Sequence, residues 1–471
     1  MEKKDSVRLK TGGILFLTIF KNILTNVLKI IIIIFIIIIK TEGIMNLTEK
    51  DWKKITKIIQ AYEEKIDKDF KIPLSEYEER YEKVWEQLRD RGIDMGFFFW
   101  YREMPGDGIY LTGYNPTIER ASGVIAPGKR PLLLAGPESG VMAKEAGLGL
   151  ETAFVNEFSI PDEYYEGVER GNLNEIISEY IGHKIGKIGY MTAADLIPAQ
   201  FMEFLKKEFD GAEVVDAVDI LEELRYEKSK SEMKCMEQAD MIACAAVRTM
   251  LAVAGPGMRE SEIAAVGDFT VKALGGNGFG FDTIVNSSER CRTVIGPASN
   301  RVIQEGEIVQ IGCSPSFEGY KGVCRRGFVM GERSELQKQY FACMNEAYRR
   351  AEAAIYKVCE EDLPTNLIDL AARDYFASQE IDGQNMKQFH MYSTCHGTGL
   401  TECLEKMVIT PTKEETYGEN VGLMLDLGCY GHPNPEIAGG CVEDAYLKKG
   451  NKAYKCSDVP VDVQELVGKG M

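Results

Sequence analysis

Hydrophobic and polar positions follow two periods along this chain, and the switches between them outline its elements. Ser75 can cap a helix while Glu78 reaches back, and Tyr77, Tyr81, Val84, Trp85 and Leu88 then recur at helical spacing until Gly92, predicting an amphipathic helix packed on a sheet. Residues 95–101 are apolar and aromatic enough for a buried strand. The turn Met104-Pro105-Gly106-Asp107-Gly108 ends it, and residues 109–111 are predicted to open the next strand. Apolar runs at 123–125 and 131–134, with helical patterns near 172–181 and 198–207, complete an α/β unit that ends near Arg225. From Ser231, the spacing of Met236, Ala239, Ala243, Ala246 and Met250 predicts a long helix, stopped at Gly255-Pro256-Gly257. Helices at 335–359 and 366–379 and strands at 281–285, 307–312, 323–330, 421–429 and 440–447 give a second, α+β domain with largely antiparallel strands. Gly275-Gly276-Asn277-Gly278 lacks the strand-then-helix setting of a phosphate cradle and reads as a loop. The expected organisation is an extension over 1–44, a first domain over 45–228 and a second over 229–471.

Composition narrows the function classes. A chain of 471 residues allows two or three domains at roughly 150 residues each. With 55 Lys and Arg against 73 Asp and Glu, a formal charge of -18, it lacks the basic footprint of a nucleic-acid binder. The 12 cysteines all follow residue 234 without a CxxC pair, which reads as reduced thiols in a cytoplasm. Residues 14–39 are apolar enough in length for a bilayer span, but Lys21, Asn22, Asn26 and Lys29 interrupt them, and a central Lys costs about 2.5–3.5 kcal/mol. Translation is therefore expected to begin at Met45, with a membrane anchor as the alternative. Without residues 1–44 the balance is 48 basic against 70 acidic residues, so the acidity belongs to the body.

Four segments in order resemble a known family. They are Gly306-Glu307-Ile308-Val309-Gln310-Ile311; Gly319-Tyr320 with Arg326-Gly327-Phe328; His396-Gly397-Thr398-Gly399-Leu400; and Gly439-Gly440-Cys441-Val442-Glu443-Asp444. Together they resemble the creatinase/aminopeptidase superfamily, and Tyr110-Leu111-Thr112-Gly113-Tyr114 is similar to the N-terminal domain of its creatinase and Xaa-Pro peptidase branch. The resemblance implies an α/β creatinase-like domain, a pita-bread domain and a homodimer.

It also implies a site from which parts are missing. Peptidases of this family bind two divalent metals through two Asp, one His and two Glu. The positions resembling the two Asp are Gly312 and Val323, the His is His396, the first Glu position is Asp426 and the second is Glu443. A second family His is matched by Cys403, followed by Leu404 where a Glu commonly stands. No metal or cofactor is expected, although His396, Asp426 and Glu443 leave a single-metal site open. Arg326 matches a family Arg and is expected to pair with the carboxylates. Cys403 near His396 has the elements of a nucleophile and its base. Creatinases in the superfamily work without metal through a His, whose position here is Ile295, whereas Arg120 resembles their carboxylate-binding arginine, contributed by the neighbouring subunit.

The resulting site set is His396, Asp426, Glu443, Arg326 and Cys403 for catalysis and Arg120 for substrate binding. The leading expectation is a metal-independent hydrolase or lyase acting on a C–N bond of a small carboxylated nitrogen compound. An Xaa-Pro aminopeptidase or dipeptidase with a degenerate metal site is the second reading, and a non-catalytic member of the fold the third.

Overall fold

The computed structural model describes residues 47–471 apart from Gly147, Asp210 and Leu404; the apolar stretch at 14–39 and Met45 lie outside the described residues. Residues 47–53 open helix α1 (Glu49–Glu63), where the Thr48 amide donates to Asp51 Oδ2 at 3.0 Å and the Asp51 amide to Thr48 Oγ1 at 3.3 Å. Among the described residues no helix is long and apolar enough to cross a membrane.

The first layer begins with α2 (Leu74–Asp90), which buries Tyr77, Tyr81, Val84 and Leu88 as the periodicity predicts. Its N-cap is Pro73 rather than Ser75, and no side chain caps it. β1 (Met95–Trp100) follows, fully buried. The segment predicted as a turn and a strand is instead helix α3 (Gly106–Thr112), closed by Gly113 at φ 68°. Tertiary contacts override the local turn chemistry here. Asp107 on α3 is gripped by Arg225 at 2.5 Å and by the Thr192 hydroxyl at 2.7 Å, and Gly108 lies so close to Trp100 that a Cβ would stand 1.9 Å from its ring. After α3 come β2 (Ala121–Ile125), β3 (Leu132–Ala135), α4 (Gly140–Ala146), β4 (Thr152–Phe154), α5 (Leu173–Ile181), β5 (Lys187–Tyr190), α6 (Ala199–Lys207), β6 (Glu213–Asp216) and α7 (Val218–Tyr226). The strands form one mixed sheet in the order β4-β3-β2-β1-β5-β6, with Phe97, Phe99, Val124 and Leu134 packed against Ile177, Phe201 and Leu205 of α5 and α6.

The second layer starts at α8 (Lys230–Val253), fixed by a reciprocal cap in which the Glu232 amide donates to Ser229 Oγ and the Ser229 amide donates to the Glu232 carboxylate. Helix α9 (Glu260–Ala273) was not visible in the pattern; short strands and loops then lead into the main sheet. Its strands are β8 (Ile284–Ser287), β9 (Ile308–Cys313), β12 (Cys324–Val329), β15 (Cys395–Gly397), β16 (Val408–Ile409), β17 (Asn420–Tyr430), β18 (Gly439–Lys449) and β19 (Lys452–Lys455), with β7 (Gly278–Phe279), β10 (Pro315–Phe317) and β11 (Tyr320–Lys321) in a smaller sheet and β13 (Glu380–Ile381) paired with β14 (Gln384–Asn385). The main order is β16-β15-β17-β18-β12-β9-β8, every pair antiparallel, with β19 beside β18. Helices α10 (Glu335–Glu361) and α11 (Asn366–Ala377) cover one face, where Leu423, Leu425 and Leu427 meet Tyr340, Tyr348, Ile355 and Ile368. Because successive strand residues point to opposite faces, Met424, Asp426 and Gly428 are turned to the other side. That side carries the chemistry.

Candidate active site

Antiparallel register sets four positions in one row across four strands: Asp426 on β17 faces Glu443 on β18, Glu443 faces Arg325 on β12, and Arg325 faces Gly312 on β9. Directly opposed residues on one face stand about 4.5–5.5 Å apart at Cβ, so the row is a continuous strip of side chains. Arg325 Nη1 lies 3.1 Å from Glu443 Oε2 and 3.7 Å from Asp426 Oδ1. Its Nη2 donates to the Val294 carbonyl at 2.6 Å and to the Tyr430 hydroxyl at 2.7 Å. Gly312 is what lets this side chain lie flat, since a Cβ there would meet Arg325 Cγ at 2.4 Å. Asp426 Oδ1 accepts from the Tyr392 hydroxyl at 2.8 Å and from the Cys441 thiol at 3.0 Å. Glu443, 1% exposed, keeps Oε1 without a hydrogen-bond partner among the described residues.

His396 enters from β15, next to β17 in the sheet. Its Nδ1 is 3.1 Å from the Gly397 carbonyl. A carbonyl only accepts, so this contact assigns the hydrogen to Nδ1 and leaves Nε2 as the basic nitrogen. Donor atoms of His396, Glu402 and Glu443 lie within 4.8 Å of one another, as do those of Asp426, Cys441 and Glu443. A pocket of about 200 Å³ opens over the row, lined by Ile295, Arg325, Tyr392, His396, Glu402 and Cys403, together with Ser393, Val408 and Asp426. That is below the range of about 300–1,000 Å³ that houses drug-sized ligands, and it suits a small metabolite or a dipeptide. A larger open groove of about 1080 Å³ runs along β4 beside Lys129, Arg130, Glu151 and Arg170 and holds none of these residues.

The charges in the row are unequal in effect. Burial, and then the nearby Asp426 carboxylate, push the Glu443 carboxyl well above the usual carboxylate range, with Arg325 pulling the other way. Such a group keeps a proton under conditions where an exposed Glu has lost it. Cys403 reaches solvent at the mouth of the pocket, yet the protein around its sulfur and the adjacent Glu402 push the thiol up to about 12. A thiol held that high is protonated in neutral solution, which is not the state of a nucleophile.

A pair of divalent metals does not fit these residues. Gly312 and Val323 offer no side-chain donor, Val323 packs on Met424 and Ala445, and the guanidinium of Arg325 already lies between the two carboxylates.

Of the residues singled out from sequence, His396, Asp426, Glu443 and Cys403 come together. Arg326 does not join them. It points to the helix-covered face, pairs with Asp444 at 2.8 Å and donates to the carbonyls of Val459 and Pro460 at 2.7 Å, because it is one residue out of phase with Arg325. Arg120 is exposed in the single chain, its guanidinium 5.7 Å from the centre of the Phe201 ring. Arg325, Glu402 and Tyr392 were missed. Strand period alone could have found Arg325, since it stands two residues after Val323, a position already matched to the site.

Two layers, a mixed α/β domain and an antiparallel sheet with a titratable row on its open face, define a two-domain hydrolase fold of the pita-bread class. Residues 80–226 match the creatinase/prolidase N-terminal domain and residues 234–447 match metallopeptidase family M24. The chain belongs to the creatinase/aminopeptidase superfamily. Among curated relatives, an Xaa-Pro dipeptidase of Pyrococcus furiosus is 26% identical over 378 residues, covering 80% of this chain and 97% of that protein. An Xaa-Pro dipeptidase of Pyrococcus horikoshii is 27% identical over 300 residues, 63% of this chain and 77% of that protein. Among solved structures, the X-Pro aminopeptidase of Thermotoga maritima superposes with a TM-score of 0.69 at 21% identity, covering 82% of this chain and 99% of that one.

Proposed function

We propose that the chain hydrolyses a C–N bond in a small carboxylated nitrogen compound, with Xaa-Pro dipeptides as the first substrate class, and that it does so without a metal pair. The substrate class is supported by the curated relatives named Xaa-Pro dipeptidase. The observation that carries the reading is the row itself: donor atoms of His396, on the pocket wall, and of the proton-holding Glu443 buried behind it lie within 4.8 Å of each other, with Arg325 between Glu443 and Asp426. His396 Nε2 takes a proton from a water as its oxygen bonds to the scissile carbonyl carbon. Glu443 passes its proton to the departing nitrogen as the C–N bond breaks. General acid and base steps of this kind contribute typically about 10²–10⁴-fold each.

A second copy of the chain would supply Arg120, whose planar guanidinium suits the substrate carboxylate. Removing one member of a desolvated pair of this kind costs about 2–5 kcal/mol, so Arg120→Ala should weaken binding by more than about tenfold. With 12 free cysteines, the working compartment is a reducing cytoplasm.

The test is release of proline from a panel of Xaa-Pro dipeptides by the purified full chain, followed by mass spectrometry. At least one dipeptide should be turned over by the parent, and His396→Ala should lose about 10²-fold or more. No turnover of any panel member would reject the reading and favour a binding role for the fold.

A further inference from the structure

The carboxylates of the row are not short of company for a cation. Two sets of three donor atoms, His396 with Glu402 and Glu443, and Asp426 with Cys441 and Glu443, each lie within 4.8 Å. Three such donors with a remaining open position are enough for one ion that accepts nitrogen, sulfur and oxygen ligands, as Zn²⁺ and Co²⁺ do. What stands in the way is the guanidinium, 3.1 Å from Glu443 and 3.7 Å from Asp426. It is fixed from behind by the Val294 carbonyl and the Tyr430 hydroxyl. Its stem occupies the volume that any side chain at position 312 would need.

We propose that Arg325 is a built-in cation that closes the Asp426–Glu443 cluster to divalent metals, and that Gly312 is the residue that makes room for it. The two positions form one unit: an acidic side chain at 312 would collide with the arginine, and the arginine supplies the positive charge beside Asp426 and Glu443 that a bound ion would otherwise bring. A guanidinium, unlike an ammonium, is charged at every working pH and bridges two acceptors through a planar fork, so the closure is permanent rather than titratable. Nearby like charge then repels an incoming divalent ion, and the buried setting leaves that repulsion poorly screened. The inference concerns metal exclusion alone and does not depend on which bond is cleaved.

The experiment uses the full-length chain, stripped with chelator and titrated with Co²⁺ while ligand-field absorption and metal content per chain are followed. Arg325→Met and Arg325→Gln both remove the charge, so a failure of one to fold leaves the other. The parent should bind no cobalt at Glu443, whereas each folded variant should take up one ion per chain, lost again when Glu443→Gln is added. Gly312→Ala should lower the melting temperature of the parent and lower it less when Arg325→Met is also present. A parent chain that already holds one ion through Glu443 would overturn the proposal. So would folded Arg325 variants that bind none, or a Gly312→Ala chain as stable as the parent. Every arm is read without substrate, so failure of the proposed reaction leaves these outcomes interpretable.

Discussion

Strands β12 and β18 each carry two charged neighbours, Arg325-Arg326 and Glu443-Asp444, and the pleat divides them into two ion pairs on opposite faces. On the helix-covered face every group is answered. Arg326 donates to Asp444 and to the carbonyls of Arg325, Glu443, Val459 and Pro460, while Asp444 also takes the Tyr348 hydroxyl at 2.5 Å and Lys455 at 2.9 Å. Burial works against the ionised Asp444, but Arg326 and Lys455 outweigh it and hold the carboxyl below its usual range. On the open face the same chemistry is left unfinished: Glu443 has an unpartnered oxygen, a carboxylate neighbour and a raised affinity for its proton. Complete satisfaction marks a structural pair. An unsatisfied buried oxygen beside a pocket marks a working one.

The largest effect expected from this contrast is on stability. Arg326→Met removes the guanidinium from the buried Asp444, leaving Lys455 and the Tyr348 hydroxyl as its partners, and strips four carbonyls of their donor, so it should cost about 3–5 kcal/mol in denaturant unfolding. Arg325→Met should cost less, about 1–3 kcal/mol, because Glu443 already holds its proton and is not left as a buried bare charge. Equal losses for the two variants would break the comparison.

The next effect is in pH dependence. Above the ordinary carboxylate range the unfolded chain has released the Glu443 proton while the folded chain retains it, so stability falls as pH rises from that range to the raised folded value. Each unit of that interval is worth about 1.4 kcal/mol, and Glu443→Gln should remove the decline. At Asp444 the direction reverses: its contribution is present at neutral pH and is lost as pH falls through its lowered value. The smallest effect is at Cys403, where Cys403→Ser should leave turnover within about twofold, as a thiol held near 12 is not the attacking group.

Much of the fold was legible because periodicity and caps agree with tertiary structure in most elements. α2, β1, α8, α10 and β17 lie close to where their patterns put them. α3 was hidden because Pro105-Gly106-Asp107-Gly108 has the chemistry of a turn, and the contacts that hold it as a helix are distant in sequence: Arg225 on Asp107, 118 positions apart, Thr192 on the same carboxylate, and Trp100 against Gly108. The site divides the same way. His396, Asp426 and Glu443 sit in recognisable segments, and the choice of Arg325 over Arg326 was within reach of strand alternation counted from Val323, whereas the pairing of Arg325 with Glu443 and Gly312 depends on cross-strand register, which no local pattern encodes. Glu402 was passed over for Cys403 beside it, and its role shows only once the loop folds back towards His396 and Glu443.

Turnover under chelation tests the central claim most directly. The chain, dialysed against chelator until elemental analysis finds no transition metal, is assayed on its best Xaa-Pro dipeptide with and without added Mn²⁺, Co²⁺ or Zn²⁺. The account predicts the same rate in every case and loss of that rate in His396→Ala. Activity that appears only when metal is restored would contradict it.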